Sequence, residues 1–584
     1  MTAPLRIANC SGFYGDRLSA AREMVEDGPI DILTGDWLAE LTMLLLQRDR
    51  AKDPNGGFAK TFLVQLRQVL GTCLDKGIRI VSNAGGMNPD GLADAVRQLA
   101  AELGKPVTVA VVRGDDVLPQ LGDWNDRDLL RHLDTGESLA PRHGMPLAAN
   151  AYLGAWGIVE ALSRGADVVI TGRTTDAAAV VAPAAWHHGW SRTDFDALAG
   201  ALVAGHVIEC GAQATGGNYS FFEEIEDLSP PGFPIAEIAA DGSSVITKHE
   251  GTPGAVSIGT VTAQLLYEIG GPEYASPDVI ARFDTIRLAQ DGPDRVAVSG
   301  VRGLPPSGSL KAGVLLAAGW RNEVTVLLGG DRVDAKAARI DAAFWPRVGG
   351  KSAFAEARTD VIRGDHPSAA PHLRLSRVVL SAADPDRAKL GRAFTAPAIE
   401  LALSSVPGMT LDGLPGKPRP CGVFWPVLVP EAEVRHTLHL GDEVVEIPPA
   451  PTGPEPDLVM PAQPPSAIVP VGRTRRTRFG DLVGARSGDK AGNANIGFWV
   501  REPGHWSWLA KYLTADRVRR WLGGFEGTVR IHPLPNLLSV NVEVVGWLGR
   551  GVASNLAPDP QAKCLAEGLR SMIVEVDESL LTSG

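Results

Sequence analysis

Short apolar runs alternate with amphipathic stretches along the first third of the chain. Leu5 to Ala8, Ile30 to Leu33, Gly77 to Ser82, Pro106 to Val112 and Asp167 to Ile170 are strand-like and rich in Ile, Val and Leu. Between them, Leu38 to Gln47 and Asp90 to Leu103 carry apolar residues at helical spacing. This alternation predicts βαβ units and a large α/β domain with a mostly parallel sheet. Each run ends in turn-forming polar residues: Asn9-Cys10-Ser11-Gly12, Thr34-Gly35-Asp36-Trp37, Asn83-Ala84-Gly85-Gly86, Arg113-Gly114 and Thr171-Gly172-Arg173. Ligands of open α/β sheets sit beyond the carboxyl ends of the strands. Asn9, Ser11, Asp36, Asn83, Arg113, Arg173 and Asp176 are therefore candidates for one binding edge, although Gly, Asn and Asp also end strands for turn chemistry alone.

The stretch Gly165 to Ala179 organises this reading as a strand, a turn and a helix start, with Thr174 or Thr175 as the cap. Arg173 and Asp176 would stand at the helix N-terminus, where backbone N–H groups and the dipole favour anions. The alternative is that these two residues pair with each other across one helical turn. The Ala84 to Pro89 turn lacks the spacing of a dinucleotide or nucleotide phosphate loop.

Reactive side chains are densest from Gly205 to Phe222, where His206, Glu209 and Cys210 fall within two helical turns and precede Gly211, Gly216 and Gly217. His206 with Glu209 makes a general acid/base pair. Cys210 is a nucleophile if His206 activates it, or a small buried hydrophobe if not. Lys248-His249-Glu250 is either a second cluster or a solvated turn. From 275 to 440 the mixed α/β pattern continues without legible chemistry.

Ile447 to Pro470 contains nine prolines and reads as an extended linker. It divides an α/β domain, residues 1–445, from a small α+β module, residues 473–584, with the linker spanning 446–472. The module's strand and helix order suits a ferredoxin-like fold. Within it, Arg486 to Gly497 offers Ser487, Lys490 and Asn493 as donors for a phosphate or carboxylate. The competing reading is a structural loop pinned by Asp489.

With 584 residues the chain has room for two or three cores. A net charge of −12 argues against nucleic acid or an anionic membrane as partner. Five scattered cysteines, with no CxxC pair, indicate a reducing compartment. No apolar run approaches the ~20 residues of a membrane helix, and no leader pattern is visible. A cytoplasmic protein is expected. A module tethered by a proline linker commonly packs on a neighbour, so a homo-oligomer is expected too.

Several motifs carry a family resemblance. Ile7 to Arg17 (IANCSGFYGDR), Thr34 to Glu40 (TGDWLAE), Ser82 to Pro89 (SNAGGMNP), Thr171 to Asp176 (TGRTTD), Glu209-Cys210-Gly211 and Ala485 to Lys490 (ARSGDK) together resemble the acyclic terpene utilisation (AtuA) family. The resemblance spans nearly the whole chain. It implies a long N-terminal domain, a C-terminal ferredoxin-fold domain and a role in breakdown of acyclic isoprenoids through branched acyl-CoA thioesters. It brings no catalytic residues with it.

The resulting expectation is an enzyme acting on a branched acyl-CoA or related carboxylate, by hydration, dehydration or retro-aldol cleavage. His206, Glu209, Cys210 and Asp176 are the candidate catalytic residues. Asn9, Ser11, Asp36, Asn83, Arg113, Arg173, Ser487, Lys490 and Asn493 are the candidate substrate contacts. No particular cofactor is indicated, and CoA would enter as part of the substrate. Asp16, Asp36 and Asp176 form the alternative set for a Mg²⁺ ion. The competing class is a non-catalytic acyl-CoA-binding or scaffold subunit.

Overall fold

The computed structural model describes residues 3–366, 368–453 and 472–581. Most of the proline-rich stretch, 454–471, lies outside the described residues.

Five short strands run parallel in the middle of an eleven-stranded sheet, in the order Leu5–Asn9, Ile32–Gly35, Arg79–Ser82, Val168–Thr171, Val109–Arg113. Antiparallel strands extend it on both sides. Pro234–Ile238 joins Leu5–Asn9 at one edge, and Thr437–Leu440 joins Val109–Arg113 at the other.

Adjacent residues of each central strand enter different cores. Ala8, Leu33, Ile80, Val111 and Ile170 pack with the helices Ala20–Glu26, Lys60–Lys76 and Pro89–Glu102. Ile7, Ile32, Val81, Val112 and Val169 pack with Trp156–Ser163, Ala178–His188 and Phe195–Ile208. This double burial explains strands that read as continuous apolar runs.

The winding reverses after Val109–Arg113, and the chain returns to place Val168–Thr171 next to Arg79–Ser82. The loops leaving those neighbours part to opposite faces and open a crevice at their carboxyl ends.

A second sheet of six strands is built around the 21-residue strand Ser309–Gly329, so the N-terminal 445 residues hold more than the one predicted layer system. Pro146–Ala151 pairs with this long strand and links it to the first sheet's loops.

The C-terminal module has a four-stranded antiparallel sheet and its own core around Phe479, Ile496, Phe498 and Leu509. The predicted turn from Arg486 to Gly497 is a correction. Val483–Lys490 and Asn493–Val500 are paired strands, with only Ala491-Gly492 between them. Two short helices, Trp506–Tyr512 and Ala515–Trp521, belong to the same module.

The module docks on the N-terminal domain through buried polar contacts. Ser220 Oγ donates to the Ala485 carbonyl at 2.7 Å and accepts from its N–H at 3.0 Å. Asn495 Oδ1 accepts from the Glu268 N–H at 2.7 Å, and Asn536 Nδ2 donates to the carbonyls of Phe283 and Ile286, both at 2.9 Å. Gly488 and Gly497 make the approach close, because a Cβ at either would overlap Tyr267 or Leu266.

Candidate active site

The carboxyl ends of the parallel strands and the docked module enclose one polar hollow. Its floor comes from the strand ends. Asn83 Nδ2 donates to Asp36 Oδ1 at 2.6 Å, and Asn83 Oδ1 accepts from the Trp37 N–H at 3.0 Å. Asn9 Nδ2 reaches the Glu209 carbonyl at 3.2 Å, while its Oδ1 holds the Ser11 N–H at 2.9 Å. The Asp36 N–H also donates to the Ser11 carbonyl at 2.8 Å, so the structure brings Asn9, Ser11, Asp36 and Asn83 together at the ends of three strands.

Arg173 lies at the centre. One of its terminal nitrogens donates to the Leu38 carbonyl at 2.6 Å, and the other meets Asp176 Oδ1 at 3.1 Å. The pairing weighed as an alternative is therefore present, inside the site. Thr174 and Thr175 do not cap the helix, which starts at Ala178. Thr174 instead bridges to Leu153, and the Thr175 N–H binds the Leu153 carbonyl, so the turn stays extended and fixes Arg173. The guanidinium lies 4.3 Å from the centre of the Tyr152 ring, and the Lys311 ammonium lies 4.9 Å from the same ring.

His206 and Glu209 end the helix Phe195–Ile208, which is apolar on all sides and buried throughout from Ala197. His206 Nδ1 is 3.3 Å from Glu209 Oε1, and its ring lies against Tyr274 and Phe283. Glu209 Oε2, Arg173 Nε and Glu40 Oε2 are buried without a hydrogen-bond partner among the described residues. Buried polar atoms are ordinarily satisfied. Such a concentration at one place makes this the candidate ligand site.

The module supplies the roof. Lys490 Nζ donates to the Glu268 carbonyl at 2.9 Å. Its side chain keeps contact with solvent although protein groups surround it, so the hollow is open to water. Glu268 has a left-handed backbone, φ 56°, held by the Asn495 contact. Strain of this kind persists where surrounding structure enforces it, commonly at functional sites.

Carboxyl groups outnumber cations here, and their acidities respond. Burial, then the Asp176 carboxylate, pushes Asp36 up to about 7 and Glu268 up to about 8. The same causes raise Glu209 well above the usual range. Burial and Glu268 push Asp489 up to about 8. His206 is driven down to about 4 by burial and by Lys490. Burial also opposes the charges of Arg173 and Lys311, but Tyr152 with nearby carboxylates outweighs it and both are raised. At neutral pH the hollow thus contains protonated acids beside fixed cations.

Several predicted residues stand elsewhere or do other work. Arg113 pairs with Asp90 and lines a separate cavity of about 190 Å³ with Arg50 and Asp116. Ser487 Oγ donates to the Ala562 carbonyl at 2.6 Å and accepts from the Ala566 N–H at 2.9 Å, and Asn493 contacts Asp134 and the Gly546 N–H. Both stitch the protein together and leave no donor set for a phosphate loop. Cys210 is held as a thiol by burial and by Glu209, which opposes a thiolate. Asp16 accepts from the N–H groups of Gly12 and Arg17, away from Asp36 and Asp176. Among the described residues no three His, Cys, Asp or Glu side chains are gathered to hold a metal ion. Lys248 pairs with Asp294, and His249 is buried against the Met24 carbonyl, so that cluster is structural rather than a solvated turn.

Sequence reasoning missed Glu40, Lys311, Glu268, Tyr152 and Tyr274. Lys311 and Glu268 did carry a signal, each being a lone charge in an otherwise apolar stretch.

A doubly wound sheet whose polar crevice is roofed by a ferredoxin-like module defines a two-domain α/β protein with its candidate site at the domain junction. The profile of the acyclic terpene utilisation family protein AtuA matches residues 5–440, and that of the AtuA ferredoxin-like domain matches residues 477–575. The chain belongs to the AtuA family, and membership implies involvement in acyclic terpene utilisation. No curated protein and no solved structure is detectably similar to it. Among the described residues no helix is long and apolar enough to cross a membrane.

Proposed function

We propose that the protein is a lyase that adds water to, or removes it from, a branched acyl thioester or related carboxylate. The observation that carries this reading is the buried Glu209 carboxyl, raised in pKa and unpartnered at Oε2, facing a hollow that also holds Arg173, Asp176 and Lys311. In dehydration, the Asp176 carboxylate takes the proton on the carbon next to the carbonyl. Glu209 gives its proton to the departing β-hydroxyl, which leaves as water, and the carbon–carbon double bond forms. Arg173 and Lys311 stabilise the negative charge that develops on the carbonyl oxygen. His206, lowered in pKa and packed against Glu209, adds to the burial that raises that carboxyl. Retro-aldol cleavage would use the same cations for the enolate, with Asp176 taking the hydroxyl proton instead.

The test is an assay of branched enoyl and 3-hydroxyacyl thioesters, and their free acids, with product analysis. Water addition or loss, reduced about 10²–10⁴-fold in Glu209→Gln, supports the proposal. Release of a shorter acid and a carbonyl product assigns cleavage. Binding without turnover in the wild-type protein favours the non-catalytic subunit.

A further inference from the structure

The module brings three more cations to the rim of the hollow. Arg486, Gly488 and Lys490 alternate along the strand Val483–Lys490 and so share one face. Gly488 lets the Tyr267 ring lie against the strand. The Arg486 guanidinium is 4.7 Å from the centre of that ring, and the Lys563 ammonium is 4.3 Å from it. Lys490 reaches the next residue, at the Glu268 carbonyl.

Their counter-charges are few. Lys563 Nζ has one carboxylate oxygen nearby, Glu268 Oε1 at 3.5 Å, and Arg486 donates to the Asn218 carbonyl at 3.2 Å, while its Nε is buried without a partner. Glu268 and Asp489 are raised to about 8, which reduces their charge at neutral pH and leaves the cations only partly compensated. Burial lowers all three cations from their ordinary values, and Lys311 adds to the effect at Lys490.

We propose that Arg486, Lys490 and Lys563 form an anion subsite for a phosphate group on the tail of the substrate, separate from the Arg173–Lys311 pair that faces the reacting end. This assignment rests on the lyase reading for the word substrate, but its binding chemistry does not. A planar guanidinium beside two ammonium groups suits phosphate oxygens. It also moves the anion site from the hairpin loop to the hairpin's face, where Lys490 is the one residue of the expected loop set that takes part.

Calorimetric titration with inorganic diphosphate tests it, with succinate as the carboxylate comparison. Lys563 is 38% exposed, so Lys563→Met leaves the core alone. The expected result is diphosphate binding that weakens with salt, exceeds that of succinate, and falls about 10- to 100-fold in Lys563→Met and in Arg486→Met. The Glu209→Gln protein keeps diphosphate binding even though it loses turnover, which separates failure of the subsite from failure of the lyase reading. Unchanged affinity in both cation variants, preference for succinate, or no diphosphate binding by the wild-type protein would each overturn the subsite.

Discussion

His206 Nδ1 and Glu209 Oε1 are 3.3 Å apart at the end of one buried helix, with side chains 1% and 7% exposed. A histidine and a glutamate at this distance on the surface would form an ion pair. Here burial raises the acid and lowers the imidazole, and both shifts work against the ion pair. Glu209→Gln keeps the shape of the side chain and removes only its proton chemistry. It should therefore leave the melting temperature within a few degrees of wild type while turnover collapses. Loss of folding in this variant would show that the carboxyl is ionised in the native protein.

Stability should fall as pH rises from 6.5 to 8.5. Asp36 and Asp278 are raised to about 7, Glu268 and Asp489 to about 8, against ordinary values near 4. Over the interval between, the folded chain holds more protons than the unfolded one, and stability drops with increasing pH. His206 and His436, lowered to about 4, act in the opposite sense, but only up to about pH 6.5. Above that the two histidines no longer oppose the carboxyls. Calorimetric melting temperatures across this range check the sign, and a flat or rising trend would contradict the buried-acid picture.

Cys210→Ala should retain activity. The thiol is raised first by burial and then by the Glu209 and Glu268 carboxyls, so no thiolate is available for attack. Iodoacetamide should modify the exposed Cys564 well before Cys210. A variant as inactive as Glu209→Gln would restore the nucleophile reading that the residue types alone allowed.

The central sheet was legible because each strand is buried on two faces and ends in polar residues, which leaves a run-and-turn pattern in the chain. Asn9, Asp36, Asn83 and Arg173 were singled out for that reason, whereas His206 and Glu209 stood out by the density of reactive side chains from Gly205 to Phe222. The rim was harder to read. The glycines at 488 and 497 suggest a ligand loop, yet their lack of a side chain serves contact with Tyr267 and Leu266, which lie more than 200 positions earlier. Ser487 and Asn493 carry donors suited to an anion but spend them on distant backbone and side-chain partners. Lys311 comes from the second sheet, and nothing local in its strand says that Tyr152 stands beside it. Long-range packing decides these roles, and a local pattern does not encode it.

The domain junction gives the last prediction. A methyl group at residue 497 would overlap the side chain and carbonyl of Leu266, both held by the helix end and the strained turn at Glu268. The strand Asn493–Val500 cannot retreat, since it pairs on both sides within the module. Gly497→Ala should therefore cost about 1–3 kcal/mol and loosen docking before it harms either core. Melting should separate into two transitions, and proteolysis between the domains should accelerate. Gly568, within the helix Leu565–Arg570, is the control, because a Cβ there meets nothing within 4 Å. Gly568→Ala should be neutral or stabilise by about 0.5–1 kcal/mol. Equal melting curves for the two variants would mean that the module does not depend on this contact to hold Lys490 over the hollow.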